Sequence, residues 1–124
     1  MAKYIIALDH GTTSSRSVII NENGQIVGLA QQEFEQIFPH SGWVEHNPEE
    51  ILTTQLATLK KAMAKASISP SEVVGIGVTN QRETTVVWNK STGKPIYNAI
   101  VWQDKRTADF CQQLKKRGLE DHVR

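Results

Sequence analysis

The chain has 124 residues, 14 Lys and Arg against 13 Asp and Glu, and a formal net charge of +1, a length that suits one compact domain of about 100–150 residues. So even a balance excludes a broad nucleic-acid surface, which needs clustered excess cation. The single cysteine, Cys111, excludes an internal disulfide and a cysteine-built zinc site and points to a reducing, cytoplasmic home, and the apolar run before Asp9 is too short for a signal peptide or membrane span.

Residues 4–8 and 17–20 predict two strands, and 25–34 a third. Asn21-Glu22-Asn23-Gly24 lies between the last two, and Asn-Gly between apolar runs is a strong hairpin signal. Three consecutive strands with tight turns are antiparallel neighbours. Residues 35–46 read as irregular, and the unusual run "PHSGWVEHNP" at 39–48 yields no chemistry by itself. A helix starts at Asn47, with Asn47 as cap, Pro48 in the first position and Glu50 at capping-box spacing. Ile51, Leu52, Leu56, Leu59, Met63 and Ala66 recur at helical intervals and are expected to pack on the sheet.

After a linker at 67–71, residues 73–79 are apolar without alternation, as a strand buried on both faces would be. Residues 84–89 and 94–98 predict a further hairpin turning at 90–93, and a second helix is expected from an Asp104 cap to just before Gly118. Three antiparallel strands, a crossover helix and a parallel strand make a mixed α/β sheet. Such a sheet lacks covering layers at this point, so the chain reads as an incomplete domain of a longer protein. Trp43, Trp88 and Cys111 are expected to be packing residues.

Three stretches carry chemistry. The first is "DHGTTSSR", residues 9–16, between two strands. It lacks the lysine and second glycine of a P-loop, and a strand rather than a helix follows. An anion held here would be gripped by backbone N–H groups and by the hydroxyls of Thr12, Thr13, Ser14 and Ser15. Arg16 adds a charged donor, and Asp9 can hold magnesium through water. Against this stands a polar turn whose hydroxyls satisfy their own backbone; the acid and glycine before the hydroxyls, and the arginine after them, favour a phosphate loop.

The second is "TNQRETT", residues 79–85, at the carboxyl end of the apolar strand, where ligands gather in open α/β sheets. Arg82 offers a rigid fork of donors beside the acceptor Glu83, which is expected to be buried; together they match a neutral polyol. A surface ion pair is the equal alternative. The third is "YNAIVWQD", residues 97–104, where Trp102 can lie against the carbons of a polyol, although a core tryptophan is the commoner role.

These stretches, with "GWVEHNPEEI" and "TGKPIYNAIVWQDKRT", closely resemble the glycerol kinase branch of the carbohydrate-kinase family, built on the actin-like ATPase, ribonuclease-H-like fold, from about residue 3 to the end. The resemblance implies ATP-dependent phosphorylation of glycerol to glycerol 3-phosphate, with ATP and magnesium as cofactors. By position it implies that Thr12, Thr13 and Ser14 contact the ATP phosphates, and that Arg16 lies on the ADP side. It makes Asp9 the catalytic acid near magnesium. Arg82 and Glu83 would bind the glycerol hydroxyls, and Trp102 would wall the pocket. Two positions depart from the pattern: His10 stands where glutamine is usual, and Lys105 where arginine often follows.

The family's enzymes are several times longer. Residues 1–124 correspond to the N-terminal part of the first, glycerol- and phosphate-binding domain of a two-domain kinase, with the general base and the adenosine pocket further on. The piece alone is therefore expected to be inactive, and the full-length protein to be a cytoplasmic homo-oligomer. Alternatives are another sugar kinase of the family or a non-catalytic nucleotide-binding module of the actin type. A nuclease is the weakest option, because only Asp9 sits at the right strand end for metal chemistry.

Overall fold

A computed structural model describes residues 1–123. The Asn21–Gly24 turn sets the opening hairpin between β2 (Ser14–Asn21) and β3 (Ile26–Glu33). Asn21 Oδ1 accepts from the amides of Asn23 (3.0 Å) and Gln25 (2.9 Å), and Gly24 takes the left-handed φ of 75° that closes it. β1 (Tyr4–His10) pairs antiparallel with β2, residue for residue from Tyr4–Asn21 to His10–Ser15. α1 (Pro48–Ala66) then crosses over, and β5 (Val73–Thr79) pairs parallel with β1. The sheet order is β3-β2-β1-β5, the mixed sheet that the sequence predicts. Between α1 and β5 a single 3₁₀ turn spans Pro70–Glu72.

The segment expected to be irregular contains β4 (Glu45–His46), which pairs antiparallel with β6 (Ala99–Ile100) in a second, two-stranded sheet. The hairpin expected over 84–98 forms only partly. Bridges join Thr85 to Ile100 and Trp88 to Pro95, with Pro95 unable to continue the ladder, and regular pairing shifts on to β6. α2 runs Ala108–Lys116 and ends before the left-handed Gly118 as expected, but its cap is Thr107. Asp104 is occupied elsewhere, accepting from the amides of Val44 and Arg106.

α1 starts as predicted, with Asn47 Oδ1 accepting from the Glu49 amide (3.0 Å). Glu50 does not close a capping box; its carboxylate accepts from the Glu35 amide instead. The helix lies over β2 and β3, and its buried face is Thr54, Thr58 and Ala62, not the leucine series. Thr54 and Thr58 each meet a β2 serine hydroxyl at 2.9 Å, Ser15 and Ser17 respectively, so the hydroxyls expected in the loop belong partly to a strand. Ile6, Ile19, Ala30 and Ala62 form the core beneath.

This close layer depends on Gly28. A Cβ there would sit 2.3 Å from the Ala62 carbonyl oxygen, in the backbone of α1. Gly28→Val is expected to cost about 1–3 kcal/mol or more by forcing the layers apart. A thermal melt of the full-length protein unchanged by it would contradict this packing.

β5 is not buried on both faces. It is an edge strand, with Ile76 and Val78 exposed (Val78 72%), and Leu52 and Leu56 of α1 are exposed as well. α1 covers the β2–β3 half of the sheet and leaves the β1–β5 half open on that side. Trp88 and Cys111, expected to pack inside, are exposed.

Candidate functional site

The β1–β2 turn is tighter than the sequence suggests, because β1 runs to His10 and β2 starts at Ser14. Only residues 11–13 are left, closed by the Gly11 amide donating to the Ser14 carbonyl (3.0 Å). At its base Asp9 and Arg16 are cross-strand partners on the face away from α1, and the guanidinium Nε donates to the Asp9 carboxylate (3.2 Å). Both side chains are substantially exposed, so the pair is screened by water and readily exchanged for another ion.

The end of β5 brings a second turn alongside. An open cleft of about 440 Å³ lies between them, walled by Gly11 and Thr12 on one side, Arg82 and Glu83 on the other, and Trp102 across the gap. Trp102 is half exposed (52%), and its indole N–H donates to Thr12 Oγ1 (3.2 Å), so it is a cleft wall and not a core residue. Arg82 and Glu83 are both exposed, contrary to the expectation for Glu83, and among the described residues no ion pair joins them. Both therefore present free hydrogen-bonding groups to the cleft. Glu83 adopts φ 58°, left-handed backbone that a non-glycine residue holds only at a cost.

The structure thus brings Thr12, Arg82, Glu83 and Trp102 onto one cleft. It sets Asp9 and Arg16 together at the strand ends beside it. Thr13 is exposed at the turn, its carbonyl accepting from the Phe34 amide, and Ser14 Oγ accepts from Gln31 Nε2 (2.8 Å). The donor set suits magnesium carried in on phosphates. Asp9 is a lone carboxylate near hydroxyl oxygens, all hard donors, and no cluster of three or more acid, histidine or cysteine side chains among the described residues forms a dedicated cage.

Trp102 is held by residues that sequence reasoning left unused. The Val101 amide donates to the Val44 carbonyl (3.1 Å), and the Lys105 amide to the Gly42 carbonyl (2.8 Å), so the 42–46 segment braces the turn that carries Trp102. Beneath it lies a buried ion cluster. Arg106 bridges Glu45 (2.7 Å) and Asp104 (2.8 Å), while Tyr97 Oη (3.1 Å) and Asn98 Nδ2 (3.2 Å) donate to Glu45 as well. The guanidinium also lies over the Trp43 ring at 3.9 Å. Arg106 holds the Asp104 carboxyl down to about 2. Burial alone would raise Glu45, but its bonds to Arg106, Asn98 and Tyr97 outweigh that and keep it below the usual carboxylate range. The only sequence signal of this cluster was the odd composition of 39–48.

Residues 4–124 match the N-terminal domain of the FGGY family of carbohydrate kinases. The chain belongs to that family.

Its curated relatives include the glycerol kinases of Vibrio campbellii (64% identical) and Vibrio atlanticus (65% identical), each aligned over 122 residues, or 98% of this chain. The chain spans about a quarter (24%) of their length. Among solved structures, a Plasmodium falciparum glycerol kinase with ADP superposes on 91% of this chain and 23% of that one, with a TM-score of 0.81 and 32% identity. A gluconate kinase from Lactobacillus acidophilus superposes on 99% of the chain and 24% of that one, with a TM-score of 0.89; at 23% identity it speaks to the fold alone. The mixed sheet is thus an FGGY sheet of the actin-like ATPase class, seen here in part. No helix among the described residues is long and apolar enough to cross a membrane.

Proposed function

We propose that this chain is the N-terminal part of a glycerol kinase, and that the whole enzyme transfers a phosphoryl group from ATP to glycerol, giving glycerol 3-phosphate. The observation that carries this reading is the cleft, where a hydroxyl of a tight, amide-rich turn meets an arginine, a free carboxylate and an indole face. The names of the relatives at 64–65% identity support glycerol over other sugars.

In this reading the turn amides and the hydroxyls of Thr12, Thr13 and Ser14 hold the terminal phosphates. Arg16, released from Asp9, turns to the ADP side. Asp9 then accepts magnesium, largely through water, and neutralisation of phosphate charge is what the ion supplies when bound. Arg82 donates to the glycerol hydroxyls and Glu83 accepts from them, while Trp102 shields the carbons. Positioning and electrostatic stabilisation are the work of this segment. The general base and the adenosine site belong to the remainder of a two-domain protein, so residues 1–124 alone are inactive. The complete enzyme is read as a cytoplasmic homo-oligomer.

The test is a coupled assay on the full-length protein with glycerol, xylulose and gluconate as competing acceptors. Glycerol is expected to give the highest kcat/KM by at least about tenfold, since the alternative acceptors leave Arg82 or Glu83 imperfectly paired. Equal or better turnover of another sugar assigns the pocket to that sugar. ATP binding without transfer to any acceptor makes it a non-catalytic module.

A further inference from the structure

Under the cleft floor, on the α1 side, lies a group of polar atoms with no partner at hydrogen-bond distance. They are His10 Nε2, His46 Nδ1, Gln81 Nε2 and Gln81 Oε1, four of the six such buried side-chain atoms among the described residues. His46 is fully buried. Phe34 lies between the two imidazoles, stacked on His10 (5.3 Å between centroids) and edge-on to His46 (4.9 Å). Gln81 interacts with both rings and lines the cleft next to Arg82.

The donor pattern around these atoms can be worked out from one end. Gln36 Nε2 lies 3.3 Å from the Thr12 carbonyl and 3.4 Å from the Phe34 carbonyl. Carbonyls only accept, so this is the amide nitrogen, and Gln36 Oε1 is the atom facing His46 Nε2 at 2.7 Å. His46 Nε2 therefore carries the hydrogen. Burial lowers the His46 pKa, which keeps the ring neutral near pH 7 and leaves Nδ1 as a bare acceptor. Nδ1 needs a donor, and Gln81 Nε2 is the orphan donor of the group. That turns Gln81 Oε1 towards His10 Nε2–H, and His10 Nδ1 is left to accept from Ser15 Oγ (3.5 Å). Each orphan finds its complement within the group. The donors then run one way, from His10 through Gln81, His46 and Gln36 to the Thr12 carbonyl, and so return to the loop on the far side of Gly11.

We propose that Gln81 is a positioning residue whose amide, wedged between His10 and His46, locks the Arg82–Glu83 turn in register with the Gly11–Thr12 loop. The proposal rests on the reading of the cleft as a phosphate and polyol site and adds to it what couples the two halves. A turn that holds Glu83 in left-handed backbone needs such an anchor, because strained backbone persists only where its surroundings over-determine it. Gln81 is the residue that joins that turn to β1 and β4 by side-chain contact.

The test uses the full-length kinase with ¹⁵N-labelled histidine. Both His10 and His46 are expected in the neutral Nε2–H form. Gln81→Leu, which keeps the volume and removes the amide, is expected to shift both ring signals and to raise the glycerol KM by about tenfold or more, since a buried acceptor and donor each lose their partner. Gln81→Glu keeps an acceptor for His10 but has no donor for His46, so the His46 signal is expected to move more than that of His10. A purely structural role would lower the melting temperature alone and leave ring signals and KM in place. An Nδ1–H form of His46, or Gln81→Leu with ring signals unmoved or a glycerol KM within about twofold of the parent, overturns the proposal. Should Gln81→Leu fail to fold, the parent spectrum and Gln81→Glu decide. If the parent does not phosphorylate glycerol, the substrate reading fails while the ring signals still report on Gln81.

Discussion

Arg106→Ala in the full-length kinase is expected to lower stability by about 3–5 kcal/mol, the largest effect of any single change in this segment. The substitution strands two carboxylates, Glu45 and Asp104, whose side chains are each only 2% exposed. Neither can reach water without opening the 42–46 and 101–106 segments. Tyr97 and Asn98 still donate to Glu45, and the Val44 amide to Asp104, but nothing neutralises them. Thermal melts check this, and a change below about 1 kcal/mol would place the cluster among solvent-screened pairs.

The same cluster has a pH signature. Asp104 sits at about 2 in the fold against an ordinary value of 3.8. A depressed folded-state pKa contributes stability that is complete above the ordinary value and is lost as pH falls through the folded one. The gap is worth roughly 2 kcal/mol. Asp104→Asn is therefore expected to be much less stable than the parent at pH 6, with the difference narrowing between pH 4 and 2. A difference that stays constant over that range would show that Asp104 owes its low pKa to something other than folding.

Arg82→Ala is expected to reduce kcat/KM for glycerol by about 10- to 100-fold, equivalent to roughly 1–3 kcal/mol, with little effect on the melting temperature. The sequence reading would have attributed part of this cost to a buried Glu83. Because Arg82 and Glu83 are both exposed and unpaired with each other, the loss now falls on substrate contacts and not on the fold. A KM for MgATP near the parent value would localise the defect to the polyol side. Unchanged glycerol kinetics would remove Arg82 from the pocket.

What could be read from the sequence was what local backbone chemistry dictates. The Asn21–Gly24 turn, the Asn47–Pro48 helix start and the Gly118 stop each follow from one or two residues, and the strand order follows from them. Hydrophobic periodicity misplaced the buried face of α1, because it counts leucines and not threonines. The interface is made by hydroxyl pairs and Gly28 at a spacing too close for leucine, whereas Leu52 and Leu56 point along the uncovered half of the sheet. Asp104 was misread as a cap because a lone aspartate before a helical stretch has the right composition whichever amides it serves. Its true partners include an amide 60 residues away. The Glu45–Arg106 pair spans 61 positions and gives no periodic signal. Of the cleft, the motif residues were legible one stretch at a time, but the Trp102–Thr12 bond that joins two of them is a product of the tertiary fold alone.

The left-handed backbone at Glu83 bears on how this protein can change. Glycine would relax that residue and stabilise the chain, yet it would delete the carboxylate; asparagine tolerates the dihedral but is shorter and uncharged. Mutational drift towards greater robustness therefore pulls against activity at this one position. Ranked by folding free energy alone, a library of variants would be enriched there in sequences that have lost their grip on the acceptor.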